Sequence, residues 1–137
     1  MKSIFREVTS NRADVRARVT FVVPSINPKQ SLRLYVDGLF FRSIRENSEY
    51  GMYYVALGEV VLAFARPEDC ALIIRPDSYC HLFSIHVDDI QDYYNRVRAA
   101  GLVQIVDLLD DHGGFWRFRV IDNNGYNIGV AQNDRVA

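Results

Sequence analysis

The chain contains the same order of secondary-structure signals twice, and this repetition constrains its fold more than any other feature. Each copy reads as a strand, an amphipathic helix and three further strands. The first copy runs from TFVVPSINPKQSLRLYVDGLFF to VVLAFARP, and the second from CHLFSIHVDDIQDYYNRVRAAGL to FRVIDNNGYNIGVAQ. Two such units each leave a sheet face uncovered. They must therefore pack together or against a second subunit, and the concave surface that remains can hold a ligand.

Capping residues and apolar spacing predict the two helices. In the second copy Asp89 is a good N-cap, apolar residues recur every three or four positions after it, and Gly101 ends the helix. In the first copy Asn27 can cap a shorter helix, and Pro28 suits its first position. The apolar stripe of this shorter helix consists of Leu32, Tyr35 and Leu39.

Eight β-rich runs complete the pattern, at residues 19–23, 41–46, 52–57, 60–65, 82–87, 103–108, 115–121 and 126–131. The sequence therefore predicts an α+β fold of two βαβββ modules. It predicts one domain over residues 1–137, with an N-terminal extension at 1–16 and modules at about 17–68 and about 79–133. The extension is a candidate for a short element that docks on a neighbouring subunit.

Composition and charge exclude several classes of partner. The 16 Lys and Arg residues are scattered and balanced by 17 Asp and Glu residues, so a net charge of −1 predicts no nucleic-acid binding. The longest apolar runs, such as 60–65, are too short to span a bilayer, and residues 1–16 lack the apolar run of a signal peptide. We therefore expect a cytoplasmic protein with no membrane partner, in which Cys70 and Cys80 are thiols rather than a disulfide.

Four segments resemble the vicinal oxygen chelate superfamily, which includes glyoxalase I, extradiol dioxygenases and the bleomycin-resistance proteins. They are SLRLYVDGLFF, GEVVLAFARP, FSIHVDDIQDYYNRVRAAGL and DNNGYNIGVAQ, in the same order and spacing, and the resemblance covers roughly residues 18–132. It implies paired βαβββ modules that form a curved sheet around a cleft, commonly completed in a homodimer.

The resemblance also identifies where a metal would bind. In the metal-dependent branches, His or Glu side chains project into the cleft from four strands, and the corresponding positions here are Thr20, Val61, Leu82 and Gly129. Val and Leu have no donor atoms, Gly has no side chain, and one Thr hydroxyl does not hold a metal. A shift of one residue in the fifth strand would bring in His81 and leave the other three positions empty. The resemblance therefore predicts no metal and no cofactor.

The metal-free relatives of bleomycin-resistance type bind a planar, cationic drug in grooves at a dimer interface. A protein with a pI of about 6.3 has little negative charge with which to attract a cationic drug. In addition, the Trp-Gly that commonly precedes the seventh strand of those proteins is replaced here by His112-Gly113-Gly114-Phe115-Trp116. The resemblance thus favours a ligand-binding cleft over bleomycin itself. We predict a non-enzymatic homodimer that sequesters an aromatic or amphipathic small molecule, for instance an antibiotic, in its cleft.

The candidate ligand-binding residues are Tyr50, Tyr53, Leu82, Ser84, His112, Trp116 and Phe118. Strand alternation puts Trp116 and Phe118 on one face of the seventh strand and Arg117 and Arg119 on the other. Core packing is the competing interpretation for Trp116. For the arginine pair the competing interpretation is a solvent-facing surface, whereas convergence of the two side chains would indicate an anionic ligand.

Two other functional classes stay open. One is a metal-independent isomerase, lyase or cyclase that uses His112, His86 or Asp111 as its acid or base. For His86 a structural hydrogen bond near Asp88 is the competing interpretation. The other class is a structural or regulatory dimer with a vestigial cleft. A fold shared this widely does not choose among them.

Overall fold

The structure is a computed structural model that describes residues 19–47, 49–76, 81–110 and 116–133, with 107–110 and 116 described by their main chain alone. Its strands are β1 (Thr20–Pro24), β2 (Arg42–Asn47), β3 (Met52–Leu57), β4 (Val60–Ala65), β5 (Phe83–Val87), β6 (Gln104–Asp110), β7 (Trp116–Ile121) and β8 (Asn127–Gln132). Its helices are α1 (Pro28–Arg33) and α2 (Ile90–Ala100), with a π-helical turn at Leu34–Gly38 and a 3-10 turn at Pro67–Asp69. The predicted extension at 1–16 lies outside the described residues.

The strands form two four-stranded sheets with the same topology. The first sheet has the order β1-β4-β3-β2, and the second has the order β5-β8-β7-β6. In each sheet the first strand of the module pairs in parallel with the last, and the other pairs are antiparallel. The α+β fold of two βαβββ modules is therefore confirmed, and the predicted strands agree with the observed ones to within two residues at each end.

Helix α2 begins and ends where its local signals predict. The Asp89 carboxylate accepts a hydrogen bond from the main-chain N–H of Asp92 at 3.1 Å. Gly101 follows the last turn with a φ of +66°, a left-handed conformation that glycine adopts without strain. Ile90 and Val97 are buried on the face that packs against β7 and β8. None of the helices in this part of the chain combines the length and hydropathy needed to cross a membrane.

Helix α1 is shorter than the helix that the sequence predicts. Asn27 caps it by accepting a hydrogen bond from the main-chain N–H of Gln30 at 3.1 Å, and Pro28 occupies its first turn. After Arg33 the chain continues as the π-helical turn Leu34–Gly38. A π turn holds more residues per turn than an α-helix, so the apolar positions after it rotate relative to the α-helical pattern.

Tyr35 is at the centre of a hydrophobic core that includes residues of both modules. It is fully buried, and its ring centroid lies 5.4 Å from that of Phe41 and 4.7 Å from that of Phe64. On its other side the ring of Phe83, from the second module, lies 6.4 Å away. The two modules therefore share one core.

The DNNG turn between β7 and β8 adds polar links between the modules. The Tyr35 hydroxyl donates to the Asp122 carboxylate at 2.7 Å, and both groups are buried. The Tyr126 hydroxyl donates to the main-chain oxygen of Pro24 at 2.8 Å. Asn124 Oδ1 accepts from the main-chain N–H of Ile26 at 3.0 Å. This turn, from the second module, thus binds the segment that joins β1 to α1 in the first.

Candidate functional site

The second sheet carries a cavity of about 370 Å³ on the face that α2 does not cover. We call it the sheet-2 cavity. Its lining residues come from β5, β7, β8 and the position two residues before β5, and they are His81, Ser84, His86, Arg117, Phe118, Arg119, Gly129, Val130 and Ala131.

Strand alternation decides which side chains enter the sheet-2 cavity. On β5, Ser84 and His86 are exposed, whereas Ile85 between them is buried in the core. On β7, Arg117 is exposed and Arg119 is half-buried, whereas Phe118 and Val120 are buried in the core. Helix α2 packs on the apolar side of this sheet, so the cavity opens on the polar side.

The register brings these polar residues together around a floor of small residues on β8. Gly129 is the register partner of Ser84 on one side and of Arg119 on the other. Ala131 is likewise the register partner of His86 on β5 and of Arg117 on β7. Each row across the sheet therefore places a small residue between an arginine and a polar residue of β5.

The imidazole of His81 lies directly over Gly129. A Cβ atom at position 129 would overlap the imidazole and lie 3.1 Å from Ser84 Oγ. His81 Nδ1 is 3.3 Å from that same hydroxyl oxygen, within hydrogen-bond distance. Glycine is therefore the residue that admits His81 to this position.

The ionisable side chains among the described lining residues are all basic. Arg117 and Arg119 supply two guanidinium groups, His81 and His86 supply imidazoles, and none of the described lining residues carries a carboxylate. Arg119 Nη1 donates to Asn127 Oδ1 at 3.1 Å, a contact that holds the guanidinium against the sheet. Arg117 and Arg119 thus both border the sheet-2 cavity, on the face of β7 opposite the buried Phe118.

Of the predicted site residues on the second module, Ser84 lies in the sheet-2 cavity. Phe118 borders it, but only 1% of this residue is exposed and its ring packs against Tyr94 with centroids 5.3 Å apart. Leu82 precedes β5 and is half-buried against the core, with its main-chain N–H donating to the oxygen of Asn127 at 2.7 Å.

Tyr50 and Tyr53 belong to the first module and do not line the sheet-2 cavity. Tyr50 lies in a turn with 58% of its surface exposed, and Tyr53 is half-buried on β3 opposite Phe64. The predicted residues Asp111 and His112 lie outside the described residues. Trp116 is described only as the first residue of β7.

The structure adds His81, Gly129, Ala131 and the arginine pair to the cavity. The sequence places Arg117 and Arg119 together on one face of β7 but assigns the ligand to the opposite, aromatic face. A signal was present, because the apolar face of a strand beside an amphipathic helix is the face that the helix covers. His86, predicted as a possible acid or base, does lie in the cavity.

Of the four positions that the resemblance assigns to metal ligands, Thr20 and Val61 are register partners in the first sheet. In the second sheet the register partner of Gly129 on β5 is Ser84 and not Leu82. No cluster of three or more His, Cys, Asp or Glu residues suited to a metal ion occurs within the described ranges. The donors nearest to position 129 are the His81 imidazole and the Ser84 hydroxyl.

Comparison with known proteins identifies relatives by structure alone. No protein-family model matches the chain, and no curated protein sequence matches it. Among solved structures, TioX from Micromonospora sp. ML1 superposes with a TM-score of 0.71 at 17% identity, covering 87% of this chain and 100% of its own. A bleomycin-binding protein complexed with bleomycin gives 0.65 at 17% identity, covering 87% and 100%. Lactoylglutathione lyase from Agrobacterium tumefaciens gives 0.65 at 12% identity, covering 87% and 95%.

Proposed function

We propose that this chain, which has the vicinal oxygen chelate or glyoxalase/bleomycin-resistance fold, is a metal-independent protein that sequesters a small aromatic or amphipathic compound. The observation that carries the proposal is the open cavity of about 370 Å³ on the uncovered face of the second sheet. This volume is at the lower end of the range for pockets that hold drug-sized ligands. The bleomycin-binding protein complexed with bleomycin provides a precedent for small-molecule binding on this fold.

The side chains at the family's metal positions support the metal-independent part of the proposal. The four positions provide at most one weak donor, and they are Thr20, Val61, Leu82 and Gly129. His81 and His86 lie in the cavity, but two imidazoles without a carboxylate or thiolate do not make the three-ligand set of a catalytic zinc site. Elemental analysis of protein purified without added metal should therefore find far less than one transition-metal ion per chain.

A second copy of the chain is part of the proposal, because the cavity is open on one side and β1 is an apolar sheet edge. Phe21 is 58% exposed and Val22 is 45% exposed on β1, which among the described strands pairs with β4 alone. A partner chain against this edge would cover these apolar side chains. In such a dimer Tyr50 and Tyr53, which lie away from the sheet-2 cavity of their own chain, would reach a ligand only from the partner.

We expect light scattering to give about twice the 15.8 kDa mass of one chain at micromolar concentration. Phe21→Asp should shift the mass towards the monomer, because it places a charge in the proposed contact. Leu72→Asp is the matched control, since Leu72 is 71% exposed but lies outside both sheets. A monomeric wild type, or equal effects of the two variants, would contradict the dimer.

The binding function can be tested by thermal shift against a panel of natural-product antibiotics and aromatic metabolites. A ligand at 100 times its Kd stabilises the folded state by about 2.7 kcal/mol, so at least one compound should raise the unfolding temperature by several degrees. Ala131→Trp should abolish the shift while the protein stays folded, because the indole would fill the floor of the sheet-2 cavity. A shift that persists in Ala131→Trp would place the site elsewhere on the molecule.

A metal-independent enzyme is the second candidate, and one observation favours it. His86 shares the sheet-2 cavity with the His81–Ser84 pair, whose Nδ1 and Oγ atoms are 3.3 Å apart. These groups could move a proton to or from a bound compound. Mass spectrometry of each stabilising compound after incubation distinguishes the two functions. A sequestering protein returns the compound unchanged, whereas an enzyme converts it and loses turnover, but not binding, in His86→Gln.

A further inference from the structure

We infer that Ser84 is a nucleophile for acyl transfer in the sheet-2 cavity, with His81 as its general base. The substrates are carboxylic esters of aromatic or amphipathic alcohols. This inference rests on the proposed binding of small aromatic or amphipathic compounds in the same cavity. It goes beyond sequestration, because it assigns a covalent step to two named side chains.

The position of the Ser84 side chain suits a nucleophile. Strand alternation turns it away from the core, in which the neighbouring Ile85 is buried. Ser84 is exposed and lines the sheet-2 cavity, so a compound bound there can reach its hydroxyl. A serine hydroxyl is a weak nucleophile by itself and is activated by a general base within hydrogen-bond reach.

His81 provides that base. Its Nδ1 atom lies 3.3 Å from Ser84 Oγ, and such pairs are often longer before a substrate binds than in the reacting complex. The active form of His81 is the tautomer with the proton on Nε2, because Nδ1 then accepts the hydrogen bond from the Ser84 hydroxyl. The imidazole can therefore take the proton that Ser84 loses when its oxygen attacks.

The main chain of β8 holds the imidazole beside Ser84. Gly129 is the register partner of Ser84, and the His81 imidazole lies over Gly129 in the space that a side chain would occupy. A Cβ atom at position 129 would overlap His81 Nδ1, the atom that faces Ser84 Oγ. Gly129 is thus a positioning residue, which acts by keeping the base next to the nucleophile.

The reaction needs water and an ester and no oxidant or metal. Ser84 Oγ attacks the carbonyl carbon of the ester, and its proton passes to His81 Nδ1. The bond between the carbonyl carbon and the alcohol oxygen then breaks, and that oxygen leaves with the proton from the imidazolium. Water attacks the acyl group on Ser84 in the same way, which releases the carboxylic acid and restores the Ser84 hydroxyl.

The first half of this reaction can be followed with 4-nitrophenyl acetate, because acylation releases coloured 4-nitrophenolate. We expect mass spectrometry to find one added acetyl group, which peptide mapping places on Ser84. Ser84→Ala should abolish this adduct, and Ser84→Cys should keep an acetyl group at position 84, since a thiol is also a nucleophile. Ser43→Ala is the matched control, because Ser43 is an exposed serine on β2 of the first sheet.

Two variants test the general base. His81→Gln should lower the rate of Ser84 acylation at least about a hundredfold, the lower end of the range for general-base catalysis. Gly129→Ala keeps both Ser84 and His81 but forces the imidazole away, so it should lower the rate to a similar extent. The unfolding temperature of each variant is measured in parallel. His81→Gln, at an exposed position, carries the test if Gly129→Ala is less stable.

The outcomes separate this inference from the proposed function. Acylation of Ser84 no faster than that of Ser43, or equal rates in wild type and His81→Gln, would overturn acyl transfer. An acetyl group on His81 that persists in Ser84→Ala would also overturn it. Each of these results leaves small-molecule binding in place, because the antibiotic panel and Ala131→Trp test that function. Acylation of Ser84 without any stabilising compound in the panel would support acyl transfer and contradict sequestration.

Discussion

Replacement of Asp122 by Ala should lower the free energy of unfolding by about 2 to 4 kcal/mol, because several buried donors lose their acceptor at once. The Asp122 carboxylate accepts hydrogen bonds from the Tyr35 hydroxyl at 2.7 Å and from the main-chain N–H groups of Asn124 at 2.8 Å and Tyr126 at 3.0 Å. Only 6% of Asp122 is exposed, so water cannot replace the carboxylate fully. Urea unfolding followed by circular dichroism measures the loss.

Two variants test whether the hydrogen bonds cause this effect. Tyr35→Phe removes one donor and should cost about 1 to 2 kcal/mol, less than Asp122→Ala. Asp122→Asn keeps an acceptor oxygen for the main-chain N–H groups and should also cost less than Ala. If Asp122→Ala unfolds at the urea concentration of the wild type, this carboxylate does not hold the two modules together.

The pH dependence of the Asn variant provides a further check on the same carboxylate. Burial raises the pKa of Asp122, and the hydrogen bonds from Tyr35 and from the main chain oppose that rise without cancelling it. A carboxyl with a raised pKa in the folded state contributes most to stability below its unfolded pKa of about 3.9 and loses that contribution as pH rises through the folded pKa. The stability of the wild type relative to Asp122→Asn should therefore fall as pH rises across this window. A difference that stays constant with pH would contradict the raised pKa.

Phe118→Ala should cost about 3 to 5 kcal/mol, the range for truncating a buried aromatic side chain. Phe118 is 1% exposed, and its ring packs on the α2 side of the sheet with centroids 5.3 Å from Tyr94 and 6.3 Å from Tyr93. Arg117→Ala is the matched control, because Arg117 is the adjacent residue on the opposite, exposed face, and we expect it to cost about 1 kcal/mol or less.

The two variants should also differ in their effect on ligands. Phe118→Ala should change the urea midpoint far more than the affinity of the remaining folded protein for a compound from the panel. Arg117→Ala should lower the affinity for the compound far more than it changes the urea midpoint. If Phe118→Ala keeps the wild-type midpoint and loses affinity, its ring contacts the ligand directly, as the sequence analysis predicts for this residue.

Local signals explain why most of the fold could be predicted from the sequence. Asp89 and Gly101 fix the ends of α2 through contacts within one or two helical turns, so no knowledge of the rest of the molecule is needed. The strand boundaries follow in the same way from alternation and from turn residues such as Gly58 and Gly125, which both have positive φ. The π turn after α1 has no comparable local signal, and the sequence predicts an ordinary helix there.

The candidate site was harder to predict because it depends on which face of a strand stays open. Alternation separates Phe118 from Arg117 correctly, and the amphipathic helix signals that an apolar face is covered, but the packing of α2 is needed to assign that face to this strand. The pairing of β5 with β8 adds a second long-range condition. The observed register puts Ser84 rather than Leu82 beside Gly129, a difference of two residues that keeps the same face of β5 but changes which side chain lies beside the glycine. Neither the face that α2 covers nor the register of β5 with β8 can be derived from a short segment of sequence.

The contact between Gly129 and His81 has a consequence for how this chain can change by mutation. Any side chain gained at position 129 meets the imidazole of His81, which must turn away and give up its 3.3 Å contact with the Ser84 hydroxyl. An acidic residue at 129, the position where the resemblance expects the last metal ligand, is therefore accommodated only together with a rearrangement at 81. The effects of the two positions are coupled, so the order in which they mutate matters. A carboxylate gained at position 129 would therefore be accompanied by the loss of the contact between the His81 imidazole and the Ser84 hydroxyl.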